Sequence, residues 1–203
     1  MKGSLYIVAA PSGAGKTSLV NALVTAHDDI RLSVSHTTRP PREGEQNGRD
    51  YHFVSQDEFA QMREQGEFLE SATVFDNSYG TSAKAVDALL EQGLDVILEI
   101  DWQGAQQVRH NFSDSTGIFI LPPSKATLEQ RLRDRGQDNE SVIQRRMRDA
   151  ENEISHYVEF DYLIVNDDFA EALEKLTAII VAKRQSIETQ KQKQSALITE
   201  LLA

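Results

Sequence analysis

The sequence predicts an α/β fold: a three-layer α/β/α domain on a central parallel sheet, with a small mixed β-rich insertion and a helical Arg-rich segment. Three observations predict it. An apolar run, Leu5 to Ala9, passes through a glycine-bearing loop straight into a helical pattern. From residue 94 to residue 189, short apolar runs alternate with helical ones, the rhythm of parallel strands joined by right-handed crossovers. Between residues 34 and 82 that rhythm stops, and short strand-like runs are separated by turn formers.

Leu5-Tyr6-Ile7-Val8-Ala9 has the β-branched and aromatic character of a buried strand. Ala10, Pro11, Ser12, Gly13, Ala14, Gly15, Lys16 and Thr17 follow, in the pattern of a phosphate-binding loop (P-loop). Gly13 and Gly15 permit a tight curl in which successive N–H groups point at one anion. The helix behind them adds unpaired donors and the positive end of its dipole. Lys16 sets a compact cation on the β- and γ-phosphates of a nucleotide, and Thr17 offers a hydroxyl to Mg²⁺. The usual pattern opens on Gly where this chain has Ala10, and a negative φ accommodates Ala there.

Residues 31–36 read as a strand. Residues 37–50 are polar and rich in turn formers, among them Pro40, Pro41, Gly44, Asn47 and Gly48. Residues 51–54 resume as a strand, 56–65 form a short helix ended by Gly66, 67–75 form another strand, and 76–80 read as a turn. Ser82 caps a helix over 83–92 that stops at Gly93. Residues 94–101 form an apolar strand ending in Glu99 and Asp101. A helix over 103–111, a strand over 116–121 and a helix from a Ser124 cap to Arg135 come next. Residues 136–139 break the pattern, 140–158 form a longer polar helix, 162–165 the last strand, and 170–189 a long helix. Ligands of such sheets lie beyond the carboxyl ends of the strands, so one crevice is expected to gather the loop, Glu99, Asp101 and Asn166.

The chain thus reads as a single domain over 1–203. Its core is 1–33, 83–124 and 160–190, with an insertion at 34–82, an Arg-rich helical region at 125–159 and a C-terminal helix at 191–203. In that last helix Leu197, Ile198, Leu201 and Leu202 recur at helical spacing. The first expectation is that they dock on the chain's own domain; the alternative is a subunit contact in a homo-oligomer.

Composition narrows the function. A formal charge of −11 argues against a broad surface for a nucleic-acid polymer. Arg131, Arg133, Arg135, Arg145, Arg146 and Arg148 nevertheless crowd one segment, which suits a small phosphorylated ligand. The absence of cysteine excludes disulfides, thiolate metal sites and a cysteine nucleophile. No apolar run approaches membrane-spanning length and no signal peptide precedes the first strand, so a cytoplasmic protein without membrane contact is expected. The histidines lack metal spacing, Trp102 reads as core packing, and Arg131 and Arg133 read as solvated helix charges.

The insertion carries a second constellation: Ser35, Arg39 and Arg42 within eight residues, followed by Tyr51, Glu70 and Tyr79. Two arginines three residues apart, assisted by tyrosine hydroxyls, make a phosphate clamp. Glu70, on a half-buried strand, can accept two parallel N–H donors.

Thr37-Thr38-Arg39-x-x-Arg42-x-x-Glu45-x-x-Gly48-x-x-Tyr51-x-Phe53-Val54, together with the P-loop, resembles the signature of guanylate kinases, P-loop enzymes that transfer phosphate from ATP to GMP. The resemblance runs through essentially the whole chain and includes Glu70, Tyr79-Gly80-Thr81-Ser82, Glu99-Ile100-Asp101 and Val165-Asn166-Asp167-Asp168. It implies that Arg39, Arg42, Tyr51 and Tyr79 hold the GMP phosphate. Glu70 would accept from guanine N1–H and N2–H₂, Ser35 and Thr81 would reach its O6 and N7 side, and Asp101 would stand near its amino group. Residues 10–17 and Asn166 would bind ATP, Asn166 near the adenine. Arg135 and Arg146 match lid arginines that close over the phosphates. Thr17 would hold Mg²⁺; Glu99, where the family more often shows Asp, would reach it through water.

The implied chemistry needs no general base, because a nucleoside monophosphate is already anionic near neutrality. Lys16, Arg39, Arg42, Arg135, Arg146 and Mg²⁺ would align and neutralise two phosphates. Residues 136–139 would let the lid move. Both GMP and dGMP are expected acceptors. Two other readings compete. Scaffold-protein modules similar to guanylate kinase bind proteins, but they have lost the loop that stands intact here as Gly15-Lys16-Thr17. Related kinases act on phosphosugars, against which Glu70, Ser35 and the tyrosines weigh. A regulatory GTPase is disfavoured by the lack of an Asn-Lys-x-Asp motif.

Overall fold

The two faces of the first strand bury into different places: Tyr6 and Val8 join one apolar cluster, Leu5 and Ile7 the other. A strand covered on both faces must lie between two layers of helices. The computed structural model, which describes residues 2–74, 76–134 and 140–203, builds that arrangement. Its elements are β1 (Leu5–Ala9), α1 (Lys16–Ala26), β2 (Ile30–Leu32), β3 (His36–Thr37), β4 (His52–Phe53), α2 (Gln56–Glu64), β5 (Phe68–Val74), β6 (Asn77–Ser82) and α3 (Ala83–Glu91). After them come β7 (Asp95–Glu99), α4 (Trp102–Asn111), β8 (Thr116–Leu121), α5 (Lys125–Asp134), α6 (Glu140–Ser155), β9 (Tyr162–Val165), α7 (Phe169–Arg184), α8 (Ile187–Lys193) and α9 (Ser195–Leu202).

The main sheet has the order β2-β7-β1-β8-β9 and is parallel throughout. Helices α1 and α7 cover one face through Leu19, Val20, Leu23, Leu176 and Ile180; α3 and α4 cover the other through Val86, Leu90, Ala105 and Val108. The chain leaves β7 on one side of β1 and re-enters as β8 on the other. The loop after β1 therefore opens at a topological switch point, where such sheets bind ligands. The second sheet, β4-β3-β6-β5, is mixed: β3 and β4 run parallel, while β6 is antiparallel to both its neighbours.

Several elements differ from the sequence reading, each for a local reason. Residues 31–36 are not one strand. Ile30–Leu32 pairs with β7, and His36–Thr37 pairs with β6, so the chain changes sheets between them. The expected turn at 76–80 is mostly strand: Val74 pairs with Asn77, and Asp76 takes a φ of 65° in the tight connection. Asn77, Ser78 and Gly80 have turn chemistry, but pairing on both sides of β6 overrides it. The strand at 94–101 stops at Glu99 because Asp101 caps α4, its Oδ1 accepting from Gly104 N–H at 2.8 Å. The helix read at 140–158 ends at Ser155 in a 3₁₀ turn (His156–Glu159). The long helix read at 170–189 breaks at residues 185–186, where the Ser186 side chain starts α8 by accepting from Thr189 N–H. Helices α8 and α9 bury none of their residues, so the C-terminal segment does not dock on the body as first expected. Among the described residues no helix is long and apolar enough to cross a membrane.

The base of the sheet is closed by charge. Asp95, at the start of β7, accepts from Ser4 N–H at 2.7 Å and from Arg184 Nε at 2.7 Å; Arg184 also pairs with Asp29 at 3.0 Å. Asp95 is buried while Arg184 stays about a third exposed, so much of the cost of removing the carboxylate is the orphaned Ser4 donor. Asp95→Ala is expected to cost about 2 kcal/mol, a drop of roughly 4–8 °C in thermal midpoint, read by calorimetry. An unchanged midpoint would show that this cluster ties nothing together.

Candidate functional site

The loop takes its shape from two glycines and one buried amide. Gly13 and Gly15 sit at φ +95° and +90°, the left-handed region that only glycine enters freely. A Cβ on Gly15 would lie 2.3 Å from Asn166 Nδ2, so the position excludes side chains by space as well. That same Nδ2 donates to Ala14 O at 2.8 Å and pins the curl to the end of β9. Lys16 opens α1 and donates to Ile100 O at 3.1 Å, so its ammonium lies across the carboxyl end of β7. Thr17 Oγ1 donates to Glu99 Oε1, which brings a hydroxyl and a carboxylate together at the mouth of the loop.

The second sheet faces this loop across the crevice. Arg39 is held by Glu45, with Nη2 at 2.7 and 3.0 Å from the two carboxylate oxygens, and its guanidinium lies 5.4 Å from the Tyr51 ring centroid. Burial works against the Arg39 charge, yet the bond to Glu45 lifts its pKa above the ordinary value. Glu45 also accepts from Arg42 N–H at 2.7 Å, so one carboxylate sets both arginines. Burial, reinforced by the charge of Glu99, pushes the Tyr51 phenol up to about 12, so it remains a hydrogen-bond donor.

Glu70 is the unusual group. It is only 3% exposed, yet it is a carboxylate. Burial pushes its pKa up to about 7; the Thr81 hydroxyl, donating to Oε1 at 2.6 Å, pulls the other way, and Asp101 adds to the rise. Its Oε2 fits against Gly104, where a Cβ would lie 2.6 Å away. Ser35 Oγ stands 3.3 Å from Thr81 Oγ1 and extends the polar row.

One crevice of about 600 Å³ gathers Ala10, Pro11, Ser12, Gly13, Gly15, Lys16 and Thr17 with Glu99 and Asp101; across it stand Ser35, Arg39, Arg42, Tyr51, Glu70 and Tyr79, and α6 contributes Arg146. Three expected residues do not line it. Ala14 is fully buried inside the loop. Thr81 is fully buried behind Glu70. Asn166 lies on the far side of the loop, in a smaller cavity with Gly13, Gly15, Ser18, Arg131, Asp167 and Phe169. Arg135 and residues 136–139 lie outside the described residues.

A family model described as Guanylate kinase matches residues 2–183. The chain belongs to the guanylate kinase family. It is 60% identical to the guanylate kinase of Nitrosococcus oceani and 57% identical to that of Alkalilimnicola ehrlichii, in each case over all of both chains. It is 56% identical to that of Escherichia coli, over 100% of this chain and 99% of that one. A crystal structure of guanylate kinase from Anaplasma phagocytophilum superposes with a TM-score of 0.77 at 33% identity, covering 92% of this chain and 88% of that one.

Within this guanylate kinase fold, four residues at the site escaped the sequence reading. Glu45 was visible as a carboxylate three residues after Arg42, the spacing at which it now reaches the Arg42 N–H. Arg131, read as a solvated charge, instead donates to Asn166 O at 3.1 Å and approaches Ala14 O at 3.5 Å, so it holds α5 on the loop. Gln107 exchanges two hydrogen bonds with the backbone of Ser71, at 3.1 and 2.9 Å, and ties α4 to the edge strand beside Glu70. Glu153 accepts from the Ser12 N–H at 3.1 Å. Nothing in the spacing of Gln107 or Glu153 signals these contacts. Trp102 is half-buried rather than core, stacked on His156 with ring centroids 3.5 Å apart.

The buried Glu70 has a consequence for stability. Its folded pKa lies above its ordinary value of 4.5, so the folded state keeps a proton that the unfolded state loses. That contribution is complete below the ordinary value and is lost as pH rises through about 7. Glu70→Gln, which keeps the shape and an acceptor for Thr81, is expected to raise the thermal midpoint by roughly 5 °C near pH 8.5 and hardly at all near pH 5. Calorimetry at both pH values checks this; equal shifts would mean that the carboxyl titrates as an exposed one.

Proposed function

We propose that the crevice performs the reaction of its family by binding ATP on the loop and GMP, or dGMP, on the second sheet. The γ-phosphate of ATP passes to the acceptor, giving ADP and GDP. The observation that carries this reading is a buried carboxylate, Glu70, facing the same crevice as a complete phosphate loop. Such a carboxylate is costly until two donors meet it. Guanine supplies N1–H and an amino group on one edge; adenine has neither, and would leave Glu70 unpaired.

In this reading Arg39, Arg42, Tyr51 and Tyr79 hold the acceptor phosphate, Glu70 and Asp101 read the guanine edge, and Ser35, backed by Thr81, takes the O6 and N7 side. Glu45 supports it by holding Arg39 in the clamp. The adenine of ATP lies over the outer side of the loop, in the cavity of Arg131, Asn166 and Asp167. The acceptor oxygen arrives ionised, so no side chain need remove a proton. Lys16 leaves the Ile100 carbonyl for the phosphates, and Lys16, Arg146 and Arg135 neutralise the charge that spreads over the transferred group. Lid closure over this charge excludes water as a competing acceptor.

The donor set also fits a divalent cation. Mg²⁺ prefers oxygen ligands and commonly takes only one or two from the protein, and Thr17 and Glu99 offer a hydroxyl and a carboxylate already in contact. Thr17 would hold the ion and Glu99 would reach it by way of a bound water. When bound, Mg²⁺ neutralises charge on the β- and γ-phosphate oxygens.

The first test is ADP formation from ATP and Mg²⁺ with GMP, dGMP, AMP, CMP and UMP as acceptors. AMP is expected to fall below GMP by roughly 10⁴ in kcat/KM. Glu70→Ala should lower kcat/KM for GMP by at least about a hundredfold. No turnover with any acceptor would sink the reaction, whereas GMP turnover surviving in Glu70→Ala would move base reading elsewhere. Gly104→Ala, whose Cβ would displace Glu70 Oε2, is expected to raise KM for GMP about tenfold while leaving KM for ATP unchanged. Parallel initial-rate series in each substrate separate the two.

A further inference from the structure

A half-buried carboxyl group stands at the mouth of a loop made to hold anions. Glu153 lies on α6 and lines the crevice with Ser12, Lys16 and Arg146. Its Oε2 accepts from the Ser12 N–H at 3.1 Å. Phosphoryl transfer as set out above gives it no task. It is not needed as a base, and its charge opposes the triphosphate that must enter beside it.

We propose that Glu153 mimics a phosphate: in the nucleotide-free protein its carboxylate occupies a loop donor that a terminal phosphate oxygen of ATP claims, so that ATP entry expels it and shifts α6 together with Arg146. This rests on the loop being the ATP site. A carboxylate and a phosphate oxygen are the same kind of acceptor for a backbone N–H, and the single Ser12 hydrogen serves one of them well. Lys16 bears on both in the same way, its charge favouring the ionised form of Glu153. Burial raises the Glu153 pKa and Asp101 and Asp149 add to the rise, whereas the Ser12 hydrogen bond and the Lys16 charge favour the ionised form. Once a phosphate takes both, the carboxylate loses the Ser12 hydrogen bond and the Lys16 charge together.

The helix turns that displacement into a movement of the lid arginine. Arg146 and Glu153 lie two helical turns apart on α6, about 10 Å along one rigid element. The carboxyl end of α6 is anchored, because His156 stacks on Trp102 and bonds to Glu159 at 2.7 Å, and Glu159 accepts from Gln106 at 2.8 Å. The apolar part of its contact with α5 is a small cluster, Leu128, Leu132 and Ala150 with Met147 against them, flanked by the ion pairs Lys125–Glu151 and Arg133–Glu140. The helix therefore has a fixed end, a light apolar hold and an electrostatic catch between them.

The test is calorimetric binding of ATP, ADP and AMP to the wild-type protein and to Glu153→Gln, which keeps the size and removes the charge. ATP is expected to bind the variant about tenfold more tightly, ADP to gain less, and AMP to be unchanged. A merely structural role for Glu153 would shift all three nucleotides alike, and that result, or equal ATP affinity in both proteins, overturns the proposal. Absence of ATP binding by the wild type would overturn the ATP site itself, and the role of Glu153 with it. Should Glu153→Gln fail to fold, the wild-type protein carrying ¹³C-labelled glutamate answers the same question. The Glu153 carboxyl resonance is expected to move on ATP addition and to stay in place with AMP; a resonance that ATP leaves unmoved overturns the proposal.

Discussion

The curl of the chain at Gly13-Ala14-Gly15 is the constraint on which the rest of the structure depends. It asks for two residues in the left-handed region and for a buried carbonyl, Ala14 O, to find a partner away from water. Asn166 supplies that partner from the end of β9, and Arg131 approaches the same carbonyl from α5. The loop is thus fastened to the far edge of the sheet and to the lid helices by one oxygen. The parallel sheet explains why this is possible. All five strands end on the same side, so residues far apart in sequence meet there without any long connection.

The two halves of the crevice solve opposite electrostatic problems. The loop gathers donors and a cation, which on the proposed function meet a polyanion and here meet partners within the protein. Lys16 rests on the Ile100 carbonyl, and Ser12 on Glu153. The second sheet holds a buried acceptor, Glu70, which on the proposed function meets a base, and burial drives its carboxyl toward neutrality. On the proposed function, ATP phosphates take over the Lys16 and Ser12 donors that Ile100 and Glu153 hold, and guanine adds donors to Glu70. Binding energy is then a difference between two sets of contacts, and the internal set is part of what fixes affinity.

Much of the fold and of this site was legible in the sequence. The loop declared itself because Gly13, Gly15, Lys16 and Thr17 act through local chain geometry, which spacing records. The alternation of strand and helix carried the main sheet for the same reason. The second sheet was harder. Asn77, Ser78 and Gly80 carry turn chemistry, and only their pairing with β3 and β5 makes them strand, a non-local contact that composition does not register. The split of residues 31–36 between two sheets is hidden in the same way. Arg131, Gln107 and Glu153 act on backbone groups between 35 and 141 positions away along the chain. No motif marks such residues, because what they recognise is a carbonyl or an amide that every residue has.

Packing marks where the fold resists opening and where it resists least. The main sheet is clamped by two large apolar clusters, each drawing residues from several strands and two helices, and opening either would expose many fully buried side chains at about 2 kcal/mol each. The helix that bears Arg146 and Glu153 meets α5 over three buried residues. Elements held by few buried apolar contacts open at low free energy, and those are the elements from which lids are drawn. Charge and hydrogen bonding then decide their position: Arg131 keeps α5 on the loop, Trp102 and His156 fix the end of α6, and Glu153 holds its last turn against Ser12. On the proposed role of Glu153, a helix set by polar contacts rather than by apolar burial responds to an anion, because an anion competes directly for the donors that position it. A lid buried by apolar area could not be released in this way, since no phosphate competes for a leucine.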